Sequence, residues 1–369
     1  MFLSKKTPSF LAWSCVMLGL SNNLGAVLPD DTEARATPKA TASANTELAY
    51  SGLGNKKTIS LSTQKDLTKV ELVSSDMDVQ VLNLSDTNVS DLSNLPQYTR
   101  LEKLILNNCN NPDLDLSVLS QCKTLRFLDL SCMKSNLDLT FLKDCNIETL
   151  FIECRDELTD LKCLAGCTGI KSLYVSGRKL KTLDGIGGLA KLAKLQVSSN
   201  ALTTLDGVEL CQNLTTLRVF MSDRLQDVHA LQNHPSLKHA TIDSFPGTNL
   251  EALKGCAKLE SLKLLRCCYL KNLDGCEGES IQSIHIEKCI TFEQIHKMPL
   301  QNIDAVATWP QLKTFYTKNT FVSDLSPLMQ VPHLVNFYTC HGRQYQLDDI
   351  KAMVKERRRK QGLNHSEAY

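Results

Sequence analysis

Residues Leu259 to Gly275 read LESLKLLRCCYLKNLDG, and the spacing of their leucines decides the fold. Leu259, Leu262 and Leu264 form an L-x-x-L-x-L triplet. The alternation at its end has a period of two residues, which indicates a short β-strand with one buried face. The adjacent cysteines Cys267 and Cys268 follow this triplet, and they raise the question of a metal site or a disulfide.

The triplet occurs twelve times, which indicates one repeat array rather than several globular domains. Successive copies lie 22 to 24 residues apart, except for one interval of 31 residues. The copies begin at Val79, Leu101, Leu125, Ile147, Ile170, Leu192, Leu214, Leu237, Leu259, Ile281, Leu312 and Leu334. One unit cannot bury its apolar face alone, but stacked units share a core behind a parallel sheet. The pattern predicts an α/β-type solenoid with a parallel concave sheet, and turns or 3₁₀ pieces on its convex side.

The best copy of the repeat is LAKLQVSSNALTTLDGV, from Leu192 to Val208. It resembles the short, 22-residue leucine-rich repeat of bacterial internalins and of eukaryotic phosphatase-binding repeat proteins. In this resemblance Asn200 takes the asparagine position of the family, and most other units carry a different residue there. The resemblance covers roughly residues 67 to 340. It implies a leucine-rich repeat horseshoe with an irregular asparagine ladder.

Nine of the fifteen cysteines fall at positions that the repeat itself explains. Some lie at or next to the asparagine position, namely Cys109, Cys132, Cys154, Cys267 and Cys289. Others lie three residues before the next triplet, which predicts a buried convex slot, namely Cys122, Cys167, Cys211 and Cys256. A buried free cysteine behaves as a small apolar residue, and no paired C-x-x-C spacing indicates zinc. We therefore expect structural cysteines, no metal and no cofactor.

The overall composition favours a binding protein over an enzyme. The chain has 369 residues and a net charge of +1, which gives no electrostatic reason to expect a nucleic acid. The metalloprotease, serine-hydrolase and P-loop motifs are absent from the sequence. The basic stretch KERRRK, residues 355–360, is typical of a solvated end helix, with a membrane-surface or nucleic-acid patch as the alternative.

The chain divides into five predicted segments. Residues 1–21 have the charged start and short apolar run of a signal peptide, and residues 22–54 form an Ala-, Thr- and Ser-rich linker. An N-terminal cap (55–78), the solenoid (79–344) and a basic C-terminal cap and tail (345–369) follow. Export implies an oxidising destination, whereas core-type cysteines suit a reducing one. We expect a secreted or cell-surface protein with no stable membrane insertion after cleavage; the alternative is delivery to, or retention in, a cytosol.

The strand residues that alternate with the core leucines should face the concave surface and bind a partner protein. Aromatic and arginine side chains in these columns have the composition of interface hot spots. The candidate residues are Phe127, Phe151, Tyr174, Arg218, Phe220, His239, Lys263, His285, Tyr316 and Tyr338. The resemblance to internalins implies an adhesin or virulence-type effector. The alternative is an intracellular regulatory scaffold like the phosphatase-binding repeat proteins.

The 31-residue interval after Ile281 exceeds the usual period by nine residues. We place the excess within HKMPLQNIDAVATWPQ, residues 296–311. Insertions in repeat proteins emerge as loops, which are often functional. In the other interpretation the unit is degenerate, and Trp309 fills the convex slot that Cys211 or Cys256 fills elsewhere.

Overall fold

The structure is a computed structural model, and it describes most of the chain after residue 55. The described residues are 56–62, 64–71, 76–109, 111–133, 139–153, 158–287, 300–318, 320, 322, 324–338, 344–345, 348–349, 352, 355–356 and 359. They fall almost entirely in the compact unit Thr58–Tyr369. The predicted signal peptide (1–21) and linker (22–54) lie outside the described residues, as do Cys154 and Cys289.

Within the described residues, fourteen strands form one sheet, and they follow one another in sequence order. Each pair of neighbours from β1 to β13 is parallel, and β14 runs antiparallel to β13. The strands are β1 (Thr58–Ser60), β2 (Val81–Asn83), β3 (Lys103–Ile105), β4 (Phe127–Leu130), β5 (Thr149–Glu153), β6 (Ser172–Ser176), β7 (Lys194–Ser198), β8 (Thr216–Phe220), β9 (His239–Asp243), β10 (Ser261–Leu265), β11 (Ser283–Glu287), β12 (Thr314–Lys318), β13 (Asn336–Tyr338) and β14 (Gln344–Tyr345). The predicted parallel solenoid sheet is confirmed.

The connections between strands contain short 3₁₀ helices instead of full α-helices. Those described are Leu95–Gln97, Ser117–Gln121, Thr140–Asp144, Lys162–Leu164, Ile186–Gly188, Val208–Leu210, His229–Leu231, Glu251–Leu253, Asp304–Thr308 and Ser326–Gln330. A 22-residue unit leaves too few residues for a longer helix after its strand and turns. The 3₁₀ pieces predicted for the convex side are therefore confirmed.

The triplet residues form the core between the sheet and the 3₁₀ helices. In the unit that begins at Leu192, the three triplet side chains of Leu192, Leu195 and Val197 are buried. Leu202 and Leu205 on the convex side are buried as well and join the same continuous cluster. Burying one such side chain contributes about 1.5–3 kcal/mol, so the stacking of units supplies the stability that a single unit lacks.

The sheet extends beyond the first leucine triplet in the N-terminal direction. Strand β1 lies within the predicted N-terminal cap (55–78), and Ile59 pairs in register with Leu82. Val70 of the same segment is buried in the core. At the other end, β14 turns the chain antiparallel, and residues 348–349, 352, 355–356 and 359 are helical. Parallel stacking therefore begins one strand before the first triplet and ends at β13.

The turn after several strands places one residue in the left-handed region and buries the next. The left-handed residues are Asp86, Asn108, Cys132, Met221, Ser244 and Arg266, with φ between 46° and 63°. The residues that follow them are buried, namely Thr87, Cys109, Met133, Ser222, Phe245 and Cys267. Cys109 Sγ donates to the Leu84 carbonyl at 3.1 Å, so cysteine takes the asparagine position as predicted.

The prediction that Asn200 serves as the asparagine of its turn is wrong. Asn200 is exposed, and the preceding residue, Ser199, is buried. Ser199 Oγ donates to the Leu180 carbonyl at 2.7 Å and accepts from the Ala201 N–H at 3.1 Å. A buried serine hydroxyl thus satisfies the backbone groups of this turn, and the asparagine side chain remains in solvent.

The predicted convex slot exists, and the residue three before the next triplet fills it. Several slot residues directly follow a 3₁₀ helix as its C-cap, namely Tyr98, Cys122, Leu189, Cys211, Trp309 and Val331. All six are buried. Burial raises the pKa of the Cys122, Cys167 and Cys211 thiols to about 11. Since the thiolate is the reactive form, these cysteines stay protonated and serve the core.

The long repeat after Ile281 is regular from Leu300 onward, so of the predicted stretch 296–311 only residues 296–299 can belong to the insertion. Leu300, Ile303, Val306 and Trp309 are all buried. Their three-residue spacing up to Leu312 equals that of Leu180, Leu183, Ile186 and Leu189 up to Leu192. The nine additional residues therefore precede Leu300 and fall largely within 288–299, outside the described residues. The interpretation of Trp309 as a slot residue is confirmed.

His234 occupies the same slot, and its burial predicts that the stability of the solenoid depends on pH. Burial lowers the pKa of its imidazole below the ordinary 6.5, and Nδ1 accepts from the Ser236 N–H at 3.4 Å. The neutral ring therefore stabilises the fold above pH 6.5, and this contribution is lost as the pH falls through the folded-state pKa.

We expect His234→Leu to remove this pH dependence, because Leu189 fills the same slot elsewhere. Urea unfolding of parent and variant should give curves that diverge as the pH drops from 7.5 to 5, with the parent losing more stability. Carboxylates contribute equally to both proteins, so the difference isolates His234. Parallel pH profiles would contradict the assignment.

Candidate functional site

One row of side chains runs along the solvent side of the sheet, across all thirteen parallel strands. We call it the middle column. Its members pair in register from strand to strand: Ser60, Asn83, Ile105, Asp129, Phe151, Tyr174, Gln196, Arg218, Thr241, Lys263, His285, Tyr316 and Tyr338. In β2 to β12 the residues on either side of each column residue are buried. The middle column is therefore the centre line of the face that the fold makes concave.

The ten candidate residues all lie on this face, in strands β4 to β13. Seven belong to the middle column, Phe127 and His239 lie two residues before it in their strands, and Phe220 lies two residues after it. Nine of the ten are half-buried, and His239 is exposed. The face is thus partly apolar and partly accessible, as a binding surface requires.

Aromatic rings stack at the N-terminal part of the face, and we call Phe127, Phe151 and Tyr174 the N-terminal stack. The Phe151 and Tyr174 rings are parallel within 2°, with centroids 4.2 Å apart. Phe127 and Phe151 lie 5.3 Å apart and are tilted. The Lys103 ammonium lies 3.9 Å from the centroid of the Phe127 ring, a cation–π contact. The stack is therefore a preformed apolar platform.

A second row of rings follows on β11 to β13, and we call His285, Tyr316 and Tyr338 the C-terminal stack. The His285 and Tyr316 rings are 4.0 Å apart and 19° from parallel. The Tyr316 and Tyr338 rings are 5.7 Å apart. Glu287 Oε2 lies 3.5 Å from His285 Nε2, so a carboxylate borders this stack.

Two cations, Arg218 and Lys263, lie between the stacks, and we call them the cationic centre. Burial lowers the pKa of the Lys263 ammonium; the Arg218 charge acts in the same direction, and Glu287 opposes both. Burial also raises the pKa of the Tyr174 hydroxyl, which the Arg218 charge opposes. The Arg218 charge therefore affects the pKa of both Lys263 and Tyr174, which places the three side chains in one patch.

Gln196 brings an unexpected polar group to this patch. Its side chain lies in the middle column between Tyr174 and Arg218 and is 8% exposed. Its Oε1 accepts no hydrogen bond from any of the described residues. A buried amide oxygen that lacks a hydrogen-bond donor costs about 1–3 kcal/mol.

Not every column residue is exposed as the sequence predicts. Ile105, Asp129 and Gln196 are buried although they belong to the middle column. Asp129 Oδ1 accepts from the Ser131 N–H at 2.9 Å, so its carboxylate serves the turn after β4. The period of two assigns a side chain to a face, but it does not determine the depth of that side chain on the face.

Other site types receive no support from the part of the chain that the structure describes. Within it, no group of three or more His, Cys, Asp or Glu side chains could hold a metal ion. None of the described helices has the length and apolar character needed to cross a bilayer.

The order of the strands, the buried triplets and the 3₁₀ connections together decide the architecture. The chain folds as a leucine-rich repeat solenoid. Its cysteine-containing repeats are confirmed by the burial of Cys109, Cys122, Cys167, Cys211 and Cys256. No family model matches the sequence, and no curated protein matches it.

Three of the solved structures similar to this leucine-rich repeat solenoid are bacterial proteins. An internalin (InlF) from Listeria monocytogenes is 14% identical with a TM-score of 0.45, covering 78% of this chain and 88% of its own. A leucine-rich repeat protein from Leptospira interrogans is 15% identical with a TM-score of 0.45, covering 79% and 80%. The functional domain of InlJ from Listeria monocytogenes, which includes a cysteine ladder, is 19% identical with a TM-score of 0.45, covering 74% and 66%. At these identities the likeness concerns the fold alone.

Proposed function

We propose that this leucine-rich repeat solenoid binds a partner protein across its sheet face. The observation that carries the proposal is the sheet face, on which two aromatic stacks flank a cationic centre. All of these residues except Phe127 lie in the middle column, in unbroken register. Aromatic and arginine side chains dominate the binding energy of protein interfaces. The other residues of the column contribute shape complementarity rather than binding energy.

The size of the face fits a stable interface. Ten strands, β4 to β13, span about 43 Å at a spacing of about 4.8 Å, and five residues along a strand span about 17 Å. Their product, roughly 700 Å², approaches the ~800 Å² that each partner buries in a standard interface. A rigid sheet also presents this area at low ordering cost.

We further propose that the protein acts outside the cell or on its surface, as an adhesin or virulence-type effector. The signal-like residues 1–21 support this destination. The alternative is an intracellular regulatory scaffold, which the core-type cysteines favour. A fusion of residues 1–30 to a reporter separates the two, because an exported and shortened product would contradict the scaffold.

A quadruple variant tests the binding face. In Tyr174→Ala, Arg218→Ala, Phe220→Ala, Lys263→Ala the centre of the face loses its aromatic and cationic groups. The control changes two exposed residues of the 3₁₀ helices, Leu210→Ala and Met329→Ala. Truncating a single hot-spot residue costs about 2 kcal/mol or more, so we expect the quadruple variant to weaken binding at least about 30-fold even if only one of the four is a hot spot.

The measurement is affinity capture from cell-surface and cytosolic extracts, followed by titration of the captured protein. The control should bind within about twofold of the parent, and circular dichroism should show that both variants are folded. A partner that the folded quadruple variant binds as tightly as the parent would move the site away from the sheet face.

A further inference from the structure

We propose that the cationic centre receives an acidic segment of the partner, whose flanking apolar side chains pack on the two stacks. This inference rests on the proposed function and names the chemistry of the partner. The segment carries two or more aspartate or glutamate residues and crosses the strands along the middle column.

The first support is an excess of positive charge on this part of the face. Arg218 and Lys263 are separated by one strand, at Thr241, and hence by about 10 Å between backbones. The Arg218 charge disfavours protonation of the half-buried Lys263 ammonium. A carboxylate placed between them would remove this repulsion and regain charge-assisted hydrogen bonds.

Strands β7 to β10 carry three lysine or arginine residues, Lys194, Arg218 and Lys263, and one carboxylate, Asp243. Asp243 accepts two hydrogen bonds from Arg266, at 2.5 and 2.6 Å. Glu287 opposes the lowered pKa of Lys263 but does not cancel the effect of burial and of Arg218. The flanking column adds the exposed side chains of Lys194 and His239. The surface from β7 to β10 is therefore complementary to an acidic partner.

The second support is the distance between the two stacks. Tyr174 on β6 and His285 on β11 are five strands apart, which corresponds to about 24 Å. An extended peptide covers about 3.4 Å per residue, so its two apolar anchors should be about seven residues apart. The acidic residues between them then lie over Arg218 and Lys263.

These dimensions favour a peptide over a long polyanion. The cationic centre is only two side chains wide, and apolar rings bound it at both ends. A nucleic acid or an acidic polysaccharide releases counterions from many contacts along its length, whereas the cationic centre offers only Arg218 and Lys263.

The test uses the full chain and three fluorescein-labelled peptides measured by fluorescence anisotropy at low salt. The acidic probe is Phe-Gly-Asp-Glu-Glu-Asp-Gly-Phe, with its phenylalanines seven residues apart. The amide probe replaces the four acids by Asn and Gln, and the basic probe replaces them by Lys. We expect the parent to bind the acidic probe at least tenfold more tightly than the amide probe, with affinity falling as salt is added.

Two matched variants show whether binding of the acidic probe depends on the cationic centre or on the net charge of the protein. Arg218→Gln, Lys263→Gln should lose at least tenfold in affinity for the acidic probe. Lys191→Gln, Lys258→Gln removes two exposed cations outside the sheet columns, and it should stay within twofold of the parent. Equal binding of the acidic and amide probes, no binding of the acidic probe by the parent, or equal loss in both variants would overturn the inference. Stronger binding of a heparin fragment at the same two residues would overturn it as well.

The two proposals can fail separately. If the quadruple variant loses the captured partner while Arg218→Gln, Lys263→Gln retains it, the sheet face binds and the acidic chemistry is wrong. If the quadruple variant retains the partner, the binding face itself is wrong.

Discussion

Replacing Trp309 with alanine should lower the free energy of unfolding by about 3–5 kcal/mol. Trp309 is fully buried and follows the 3₁₀ helix Asp304–Thr308 as its C-cap. Its indole packs so closely on residue 278 that a Cβ there would lie 2.0 Å from Trp309 Cδ1, which leaves room only for glycine. Urea unfolding followed by circular dichroism gives the change from the shifted midpoint.

Cys211→Ala is the matched control for this prediction. Cys211 occupies the equivalent slot as the C-cap of Val208–Leu210, but it fills far less volume. We expect a loss of about 1 kcal/mol, from the smaller number of buried atoms removed. If Trp309→Ala cost no more than Cys211→Ala, the indole would not be a core side chain.

Arg266→Ala should destabilise the protein by about 2–3 kcal/mol, because it leaves the Asp243 carboxylate buried without its counter-charge. The Asp243 side chain is 6% exposed, whereas that of Arg266 is 33% exposed, so the expected loss is smaller than for a fully buried pair. Asp243 Oδ2 also accepts from the Met221 N–H at 3.2 Å. The pair thus joins the turns after β8, β9 and β10. Thermal or urea unfolding of Arg266→Ala measures the loss in the free energy of unfolding.

Asp223→Asn tests the same cluster from its exposed side. Asp223 Oδ1 contacts Arg266 Nη1 and accepts from Ser244 Oγ at 2.9 Å, but its side chain is 59% exposed. Exposed ion pairs contribute about 0–1 kcal/mol, so this variant should lose less than 1 kcal/mol. An equal loss in Asp223→Asn and Arg266→Ala would show that burial of Asp243 does not govern the cluster.

The leucine triplets predicted the sheet and its register because one period sets both. When units of nearly constant length stack, equivalent residues must lie side by side, as Phe151, Tyr174 and Gln196 do. The turns followed the sequence less closely. Ser199 rather than Asn200 is buried, since either side chain can satisfy a turn by hydrogen bonding and local geometry selects between them.

The sequence predicted which residues belong to the candidate site, but it did not predict how their side chains are arranged. Strand alternation placed Arg218 and Lys263 on the solvent side of the sheet. It gave no information on the parallel stacking of Phe151 on Tyr174 or on the burial of Gln196, because both depend on the rotamers of neighbouring side chains. The extra residues after Ile281 were placed too far downstream for a related reason: Trp309 looked irregular in sequence, yet it occupies a regular slot.

Hydroxyl-radical footprinting of the protein with its captured partner tests the central claim most directly, because it reports the exposure of individual side chains. We predict that Tyr174, Tyr316 and Tyr338 on the sheet face become protected, while Leu210 and Met329, exposed on the 3₁₀ helices, react as in the free protein. Protection of Leu210 and Met329 with unchanged reactivity of the three tyrosines would contradict binding at the sheet face.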